Sequence, residues 1–395
     1  PTYASVVSRD SVRLAFTIAA LNDLGVLAAD CEGAYLNAET REKLYTVCGP
    51  EFGEYEGRYA IIVRALYGCR GSAASWRSAI SAVIKKLGFT QCRADNDVWM
   101  RPAVKPDGME VWEYLLVYSD DILAVGIRPK HTLTMIDQHY KLKDGSLEVP
   151  KKYLGADVGK YQLPDGTEAW YLSSESYVKA AIDNVELWLS KRGEALKTRA
   201  AAAFPSNWKP ELDTTELLKD EDASYFQQQI GVLRWMVELG RIDILTEVSM
   251  LAAFSAAPRQ GHLLAVLHLY AYLKKHKRSK MVFDPTKVDH DPHPKCDWKD
   301  FYGDVKELIP SDMPEPRGKT VQTTCHVDSD HAGDEVSRRS RTGVIIFCNR
   351  SPIVFYSKKQ GSIATSSFGS EFCAMKTAVE LVESLRYKLR MMGCP

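Results

Sequence analysis

One stretch constrains this chain more than any other: Tyr114-Leu-Leu-Val-Tyr118-Ser119-Asp120-Asp121-Ile122-Leu-Ala-Val125. Its two short runs of β-branched, aromatic and leucine side chains suit buried strands. Ser119-Asp120-Asp121 between them supplies turn chemistry. The simplest structure is a tight β-hairpin with two carboxylates at its tip. Adjacent acids repel each other unless water screens them or a cation lies between them. A bare Asp-Asp pair is ordinarily a solvated turn, so its chemistry depends on what the rest of the chain brings to it.

A second strand ending in an acid comes earlier. Gly25-Val-Leu-Ala-Ala-Asp30 is a short apolar run closing on a carboxylate, and Cys31-Glu32-Gly33-Ala34-Tyr35-Leu36 turns away from it. An acid so placed is either a metal ligand at a sheet edge or a helix N-cap. If the two strands are neighbours in one sheet, Asp30, Asp120 and Asp121 converge at one edge. Hard oxygen ligands of this kind suit Mg²⁺, with a nucleotide triphosphate completing the shell. Two such ions can activate a 3′-hydroxyl and stabilise a leaving pyrophosphate.

Hydrophobic periodicity along the rest of the chain gives an α+β pattern. Helices are expected over Ser8–Asn22, along the stripe of Trp76, Ile80, Val83, Ile84 and Leu87, over 129–146, from Ser173 through Val185, and near 222–239, 242–255 and 259–276. Trp76 reads as plain core. Strands are expected at 45–48, 58–63, 97–100 and 112–118, and a second hairpin turns at Pro164-Asp165-Gly166. Residues 197–215 and 284–320 are polar and proline-bearing and read as linkers. In the second, His290, His293 and Cys296 lack an obvious fourth ligand, so no zinc site is expected. Beyond it, Cys325-His326-Val327-Asp328 is another strand ending in an acid. Two more strands follow, then a long helix over 368–392 with Glu371 in its first turn and Phe372, Met375, Val379, Val382 and Leu389 as its apolar face.

Composition narrows the class. With 395 residues, 45% hydrophobic and 26% charged, the chain has ordinary globular make-up and length for two or three domains. No apolar run is long enough to span a bilayer. Nine scattered cysteines without a Cys-x-x-Cys pair argue for buried thiols in a reducing compartment. Lys plus Arg equals Asp plus Glu at 51 each, so the basic surplus usual in nucleic-acid binders is missing. Two basic clusters, Lys274–Lys280 and Arg338–Arg341, are either solvated faces or phosphate contacts. The chain opens at Pro1 without a signal-like leader and reads as a piece of a longer protein.

These features resemble a known family. Tyr118-Ser119-Asp120-Asp121 is similar to the Tyr-x-Asp-Asp box of reverse transcriptases. Asp30-Cys-Glu-Gly-Ala-Tyr35-Leu-Asn37 resembles the Asp-Val-Lys-Thr-Ala-Phe-Leu-His segment of Copia-type (Pseudoviridae-like) LTR retrotransposons. Ala65-Leu-Tyr-Gly-Cys-Arg70-Gly-Ser-Ala-Ala-Ser-Trp76 resembles that family's Ala-Leu-Tyr-Gly-Leu-Lys-Gln-Ser-Pro-Arg-Ala-Trp. Leu87-Gly-Phe, Tyr153-Leu-Gly155 and Tyr171-Leu-Ser-Ser-Glu-Ser-Tyr177 continue the match in order. Toward the other end, His326-Val-Asp328-Ser-Asp330-His-Ala-Gly333-Asp334 and Ser366-Ser367-x-x-x-Glu371-Phe372 resemble boxes of the family's RNase H domain.

The resemblance implies a right-hand polymerase. Partial fingers and palm would occupy 1–196, a helical thumb or connection 197–283, a linker 284–322, and a C-terminally truncated, RNase H-like α/β domain 323–395. It implies Asp30, Asp120 and Asp121 as catalytic metal ligands, Tyr35 beneath the incoming sugar, and Arg70 as a phosphate or template contact. Asp328 and Glu371 would bind metal in the RNase H region, and Asp330 and Asp334 are set aside. The implied activity is RNA-directed DNA synthesis with Mg²⁺ (or Mn²⁺). Implied partners are an RNA template, a DNA primer, the RNA–DNA hybrid, dNTPs and other Pol segments, without a membrane. The implied place is the cytoplasm, in a virus-like particle. The family's third and fourth RNase H acids lie past Pro395, so hybrid cleavage is expected to be weak or absent. Gly71 and Ala73 depart from the family's Gln and Pro, and Ser119 from its Val. The alternatives are a decayed remnant that only binds nucleic acid, or a scaffold whose acids are solvated turns.

Overall fold

The computed structural model describes residues 4–197, 200–205, 207–289, 299–305 and 308–395. His290, His293 and Cys296 lie outside them. The chain divides into two compact units, one of residues 1–150, 291–320 and 387–395, the other of 151–290 and 321–386.

The first unit is built on a five-stranded antiparallel sheet of β1 (Gly25–Asp30), β4 (Thr90–Gln91), β5 (Val98–Val104), β6 (Glu110–Tyr118) and β7 (Asp121–Gly126), in the order β1-β7-β6-β5-β4. Side chains alternate between faces along each strand. Leu115 and Val117 of β6 and Ile122 and Ala124 of β7 share a core with Trp76, Ile80 and Ile84 of α2 (Ser72–Lys86) and Leu133 and Ile136 of α3 (Pro129–Asp137). The intervening positions Leu116, Leu123 and Val125 are also buried. Helix α1 (Arg9–Asn22) packs against β1, β6 and β7. The Ser8 side chain caps it, accepting from the Ser11 N–H at 3.4 Å, and Asp23 ends it in the left-handed region at φ 53°. The hairpin β2 (Glu39–Val47) and β3 (Tyr59–Arg64) stands apart as its own two-stranded sheet.

Two expectations change here. Residues 129–146 do not form one helix, because α3 stops at Asp137. The following segment pairs with the end of β1 instead: the Lys143 N–H donates to the Asp30 carbonyl at 2.8 Å and the Glu32 N–H to the Lys141 carbonyl at 2.9 Å. Asp144-Gly145, with Gly145 at φ 74°, forms the turn that follows this pairing, closed by the Ser146 N–H donating to the Lys143 carbonyl at 2.9 Å. The proline-rich stretch before 320 is not free of contacts either. The Trp112 indole N–H donates to the Glu315 carbonyl at 2.9 Å, and the Lys319 N–H to Asn22 Oδ1 at 2.8 Å. The short helix α8 (Lys299–Tyr302) lies in the same stretch.

The second unit holds two sheets. One runs β11-β10-β9-β8, from β8 (Lys152–Tyr153), β9 (Ala156–Gln162), β10 (Glu168–Ser173) and β11 (Met281–Phe283). Its helices α4 (Glu175–Ser190), α5 (Asp220–Glu238), α6 (Leu245–Ala252) and α7 (Gln260–Lys275) bury one continuous core through Val185, Phe226, Leu233, Leu251 and Leu269. That shared core puts 151–196 with the helices that follow, so the compact units cut the chain at 150, where the sequence pattern places a boundary at 196. The other sheet is β12 (Thr323–Ser329), β13 (Arg341–Cys348) and β14 (Ser351–Lys359), antiparallel in that order. Helix α9 (Ser367–Met391) follows. Its buried face is Ser370, Ala374, Ala378, Leu385 and Leu389, while Phe372, Met375 and Val379 are half or more exposed. The inward face carries small residues near its start, which allow close packing, so the larger side chains are turned outward.

Candidate active site

The hairpin tip and the end of β1 are neighbours in one sheet. In the β1–β7 ladder Asp30 lies directly opposite Asp121, and Tyr118 pairs with Asp121 across the hairpin. Ser119 and Asp120 are the two loop residues. Ser119 adopts φ 58° and Asp120 does not have positive φ. Positive φ at the first central position alone is the type II′ pattern, which favours Gly there. A serine in that place carries strain of about 1–3 kcal/mol, of the sort found at functional turns.

Several donors hold this backbone. The indole N–H of Trp76 donates to the Ser119 carbonyl at 2.8 Å, and the Cys31 N–H donates to the Asp120 carbonyl at 2.9 Å. The Asp30 N–H donates to Ser146 Oγ at 3.2 Å. Trp76 is buried in the α2 core as expected, but its ring also has this polar duty.

The electrostatics follow from three acids sharing one edge. Burial, then Asp120 and Asp30, push the Asp121 carboxyl up to about 6, and Lys143 only partly offsets them. Lys143 Nζ lies 3.9 Å from Asp30 Oδ2. The neighbouring Cys31 thiol is pushed up to about 12 by burial and then by Asp30, Asp120 and Asp121, which keeps it protonated. Among the described residues no group of three or more His, Cys, Asp or Glu side chains is arranged to hold a metal ion by itself.

Tyr35 lies beside the acids, on the 3₁₀ turn Ala34–Asn37. Its ring centroid is 4.7 Å from that of Tyr67, and its hydroxyl is 3.4 Å from Ser119 Oγ. Arg70 sits exposed in the turn before α2 and has no ion-pair partner among the described residues. Tyr67, Lys143 and Ser146 also border the site. No spacing in the sequence marks them, and the segment holding Lys143 and Ser146 reads there as helix.

In the second unit Asp328 is exposed near the end of β12, opposite Gly343. The next residue's N–H, that of Ser329, donates to Glu371 Oε1 at 3.4 Å, which brings Glu371 of α9 beside the strand. Asp330 accepts from the Arg341 N–H at 2.6 Å, and Asp334 from the Ser337 N–H and from Lys359 Nζ at 2.8 Å. Those two acids are occupied in holding loops.

Residues 1–192 match the family described as reverse transcriptase (RNA-dependent DNA polymerase). Over 94% of its length the chain is 23% identical to the retrovirus-related Pol polyprotein from transposon RE1 of Arabidopsis thaliana, covering 22% of that protein. It is 22% identical to the Pol polyprotein from transposon TNT 1-94 of Nicotiana tabacum, across 98% of this chain and 26% of the relative. The Gag-Pol polyprotein of transposon Ty1-LR2 of Saccharomyces cerevisiae is 22% identical, over 98% of this chain and 20% of its own length. The chain thus spans about a fifth to a quarter of these relatives. Its first 192 residues match the reverse transcriptase family, and along nearly its whole length the chain is similar to the Pol polyproteins of Copia-like retrotransposons.

Proposed function

We propose that the chain is the RNA-directed DNA polymerase of a Copia-type element, with Asp30, Asp120 and Asp121 as its catalytic carboxylates. The observation that carries this reading is the register Asp30↔Asp121 with Asp120 next in the turn. A scaffold whose acids were unrelated solvated turns would have no reason to oppose two of them across a ladder and raise one carboxyl to about 6.

The donor set fits Mg²⁺ (or Mn²⁺). All three ligands are hard oxygens, and an uncompensated negative edge favours a small divalent cation. Mg²⁺ is commonly held by one or two carboxylates together with substrate phosphates and water. When bound, such ions polarise a primer 3′-hydroxyl and neutralise the departing pyrophosphate. The chain's own part is to hold three carboxylates on a fixed edge, with Tyr35 beside them to meet the sugar of a dNTP. Arg70, on an exposed turn, is free to meet a phosphate or the template. The first unit's sheet with α1–α3 is read as palm and part of the fingers, and the helices α4–α7 as thumb or connection. The partners are an RNA template, a DNA primer and other Pol segments, with a virus-like particle in the cytoplasm as the setting. Among the described residues no helix is long and apolar enough to cross a membrane.

Asp328 and Glu371 are assigned as metal ligands of an RNase H-like centre, on the strength of the Ser329–Glu371 contact. The test of the main reading is primer extension on an RNA template with Mg²⁺. Asp120→Asn is expected to lower the rate at least about a hundredfold. Extension by the variant equal to the parent would remove Asp120 from the mechanism. Hybrid binding with no incorporation by the parent would favour the non-catalytic reading.

A further inference from the structure

The orientation of a residue is set by the two peptide planes that flank it, because each plane is rigid and only φ and ψ turn between them. For Asp120 both planes are held. The carbonyl of the Ser119–Asp120 plane accepts from the Trp76 indole at 2.8 Å, and that of the Asp120–Asp121 plane accepts from the Cys31 N–H at 2.9 Å. One donor comes from α2 and the other from the end of β1, so the tip is gripped from two separate elements.

The Cys31 bond continues the β1–β7 ladder and comes with the sheet. The Trp76 bond is a side-chain addition, made to the one loop residue with positive φ, Ser119 at 58°. The indole itself has little freedom. It is 2% exposed, and its ring meets Tyr140 edge-on with centroids 5.0 Å apart. An indole N–H is a donor only, and buried it loses much by going unpaired. A fixed donor therefore faces a turn whose serine backbone would not choose this conformation by itself.

We propose that Trp76 is a positioning residue for the polymerase centre. By holding the Ser119 carbonyl it keeps the strained tip in the one conformation that aims the Asp120 carboxylate along the edge shared with Asp30. The residue acts through Ser119 and touches neither metal nor substrate. This inference rests on the polymerase reading above.

Trp76→Phe keeps an aromatic ring in the core and removes the N–H. Ser119→Gly removes the Cβ that makes positive φ costly, so the tip needs less holding. Primer extension is measured for the parent, each single variant and the double variant, with kcat, dNTP KM and the Mg²⁺ concentration for half activity. In the Ser119 background, Trp76→Phe is expected to lower kcat by about tenfold or more, with KM within about twofold, and to raise the Mg²⁺ requirement. In the Ser119→Gly background the same change is expected to cost less than about threefold. A Trp76→Phe protein that melts lower yet keeps kcat and Mg²⁺ requirement would overturn the proposal. So would an equal loss in both backgrounds.

Failure of the polymerase reading has a different signature, no extension by the parent. The positioning role is then read from the rise in melting temperature that Mg²⁺ gives the parent. A smaller rise in Trp76→Phe supports it and an equal rise overturns it. No rise in the parent removes the metal centre, and this inference with it.

Discussion

Asp30 and Asp121 face each other across an antiparallel ladder, the last residue of β1 against the first of β7. Like charges directly opposite in such a pair destabilise it, and here Asp120 adds a third. The arrangement costs the metal-free protein stability, and on the proposed reading it is where a divalent cation would bind. The site's chemistry and its instability have the same source.

Asp121→Asn should therefore stabilise the metal-free protein while abolishing extension. The sign follows from the direction of the shift. The Asp121 carboxyl is pushed from 3.8 to about 6 in the fold, so ionising it opposes folding. The penalty is full above pH 6, shrinks as the pH falls from 6 towards 4, and is gone below 3.8. At pH 8 the variant is expected to gain about 1–2 kcal/mol after allowance for solvent screening, with the gain vanishing near pH 4. Thermal melts of both proteins in EDTA at several pH values measure it.

Mg²⁺ should raise the melting temperature of the parent and do much less for Asp121→Asn, because a ligand bound only by the folded state stabilises it by an amount that grows with the logarithm of its concentration over its dissociation constant. Titrating MgCl₂ in thermal melts checks this. Equal rises in both proteins would place the ion elsewhere.

In the second unit Asp334 has the opposite sign. Burial raises its carboxyl, but the Lys359 ammonium and the Ser337 N–H and hydroxyl outweigh that and hold it at about 2. Its contribution is present above pH 3.8 and is lost as the pH falls through 2. Asp334→Asn should destabilise the unit by about 1 kcal/mol at neutral pH, with the difference from the parent shrinking below pH 4. Urea melts at pH 7 and pH 3 read this.

Tyr114→Phe tests how the end of the chain is held. The fully buried Tyr114 hydroxyl donates to the Met392 carbonyl at 2.7 Å, and the Cys92 thiol donates to the Met391 carbonyl at 3.4 Å. Removing the hydroxyl leaves a buried acceptor short of a partner, with an expected loss of about 1–2 kcal/mol. Urea unfolding followed by tryptophan fluorescence would show it, with extension at low temperature unaffected.

On the proposed role of Tyr35, Tyr35→Ala should relax discrimination between dNTPs and rNTPs by about tenfold or more, because the ring that would meet a 2′-hydroxyl is removed. The ratio of kcat/KM for the two substrates measures it. An unchanged ratio would leave Tyr35 as a packing partner of Tyr67.

The strand-turn-strand of the acidic hairpin and the apolar run ending at Asp30 were legible because period-two patterning and turn residues act locally. Helices α1, α2 and α4 were legible for the same reason at a period of 3.6. The outcome over 129–146 was not: its pattern supports a helix, and pairing with the end of β1 beyond Asp137 prevails over it. The inward face of α9 was misread because large apolar side chains mark a buried face only when the facing surface leaves room for them.

Sequence by itself determined which groups are present and in what order: two strands closing on acids, an aromatic five residues beyond Asp30, and a tryptophan on the helix after the glycine turn. Tertiary structure decided how they are used. Only the ladder sets Asp30 opposite Asp121, and only the packing of α2 against the sheet brings the Trp76 indole to the Ser119 carbonyl. Local pattern encodes the faces and ends of elements, whereas the register between distant strands and the reach of one side chain to another element's backbone depend on how the whole core closes.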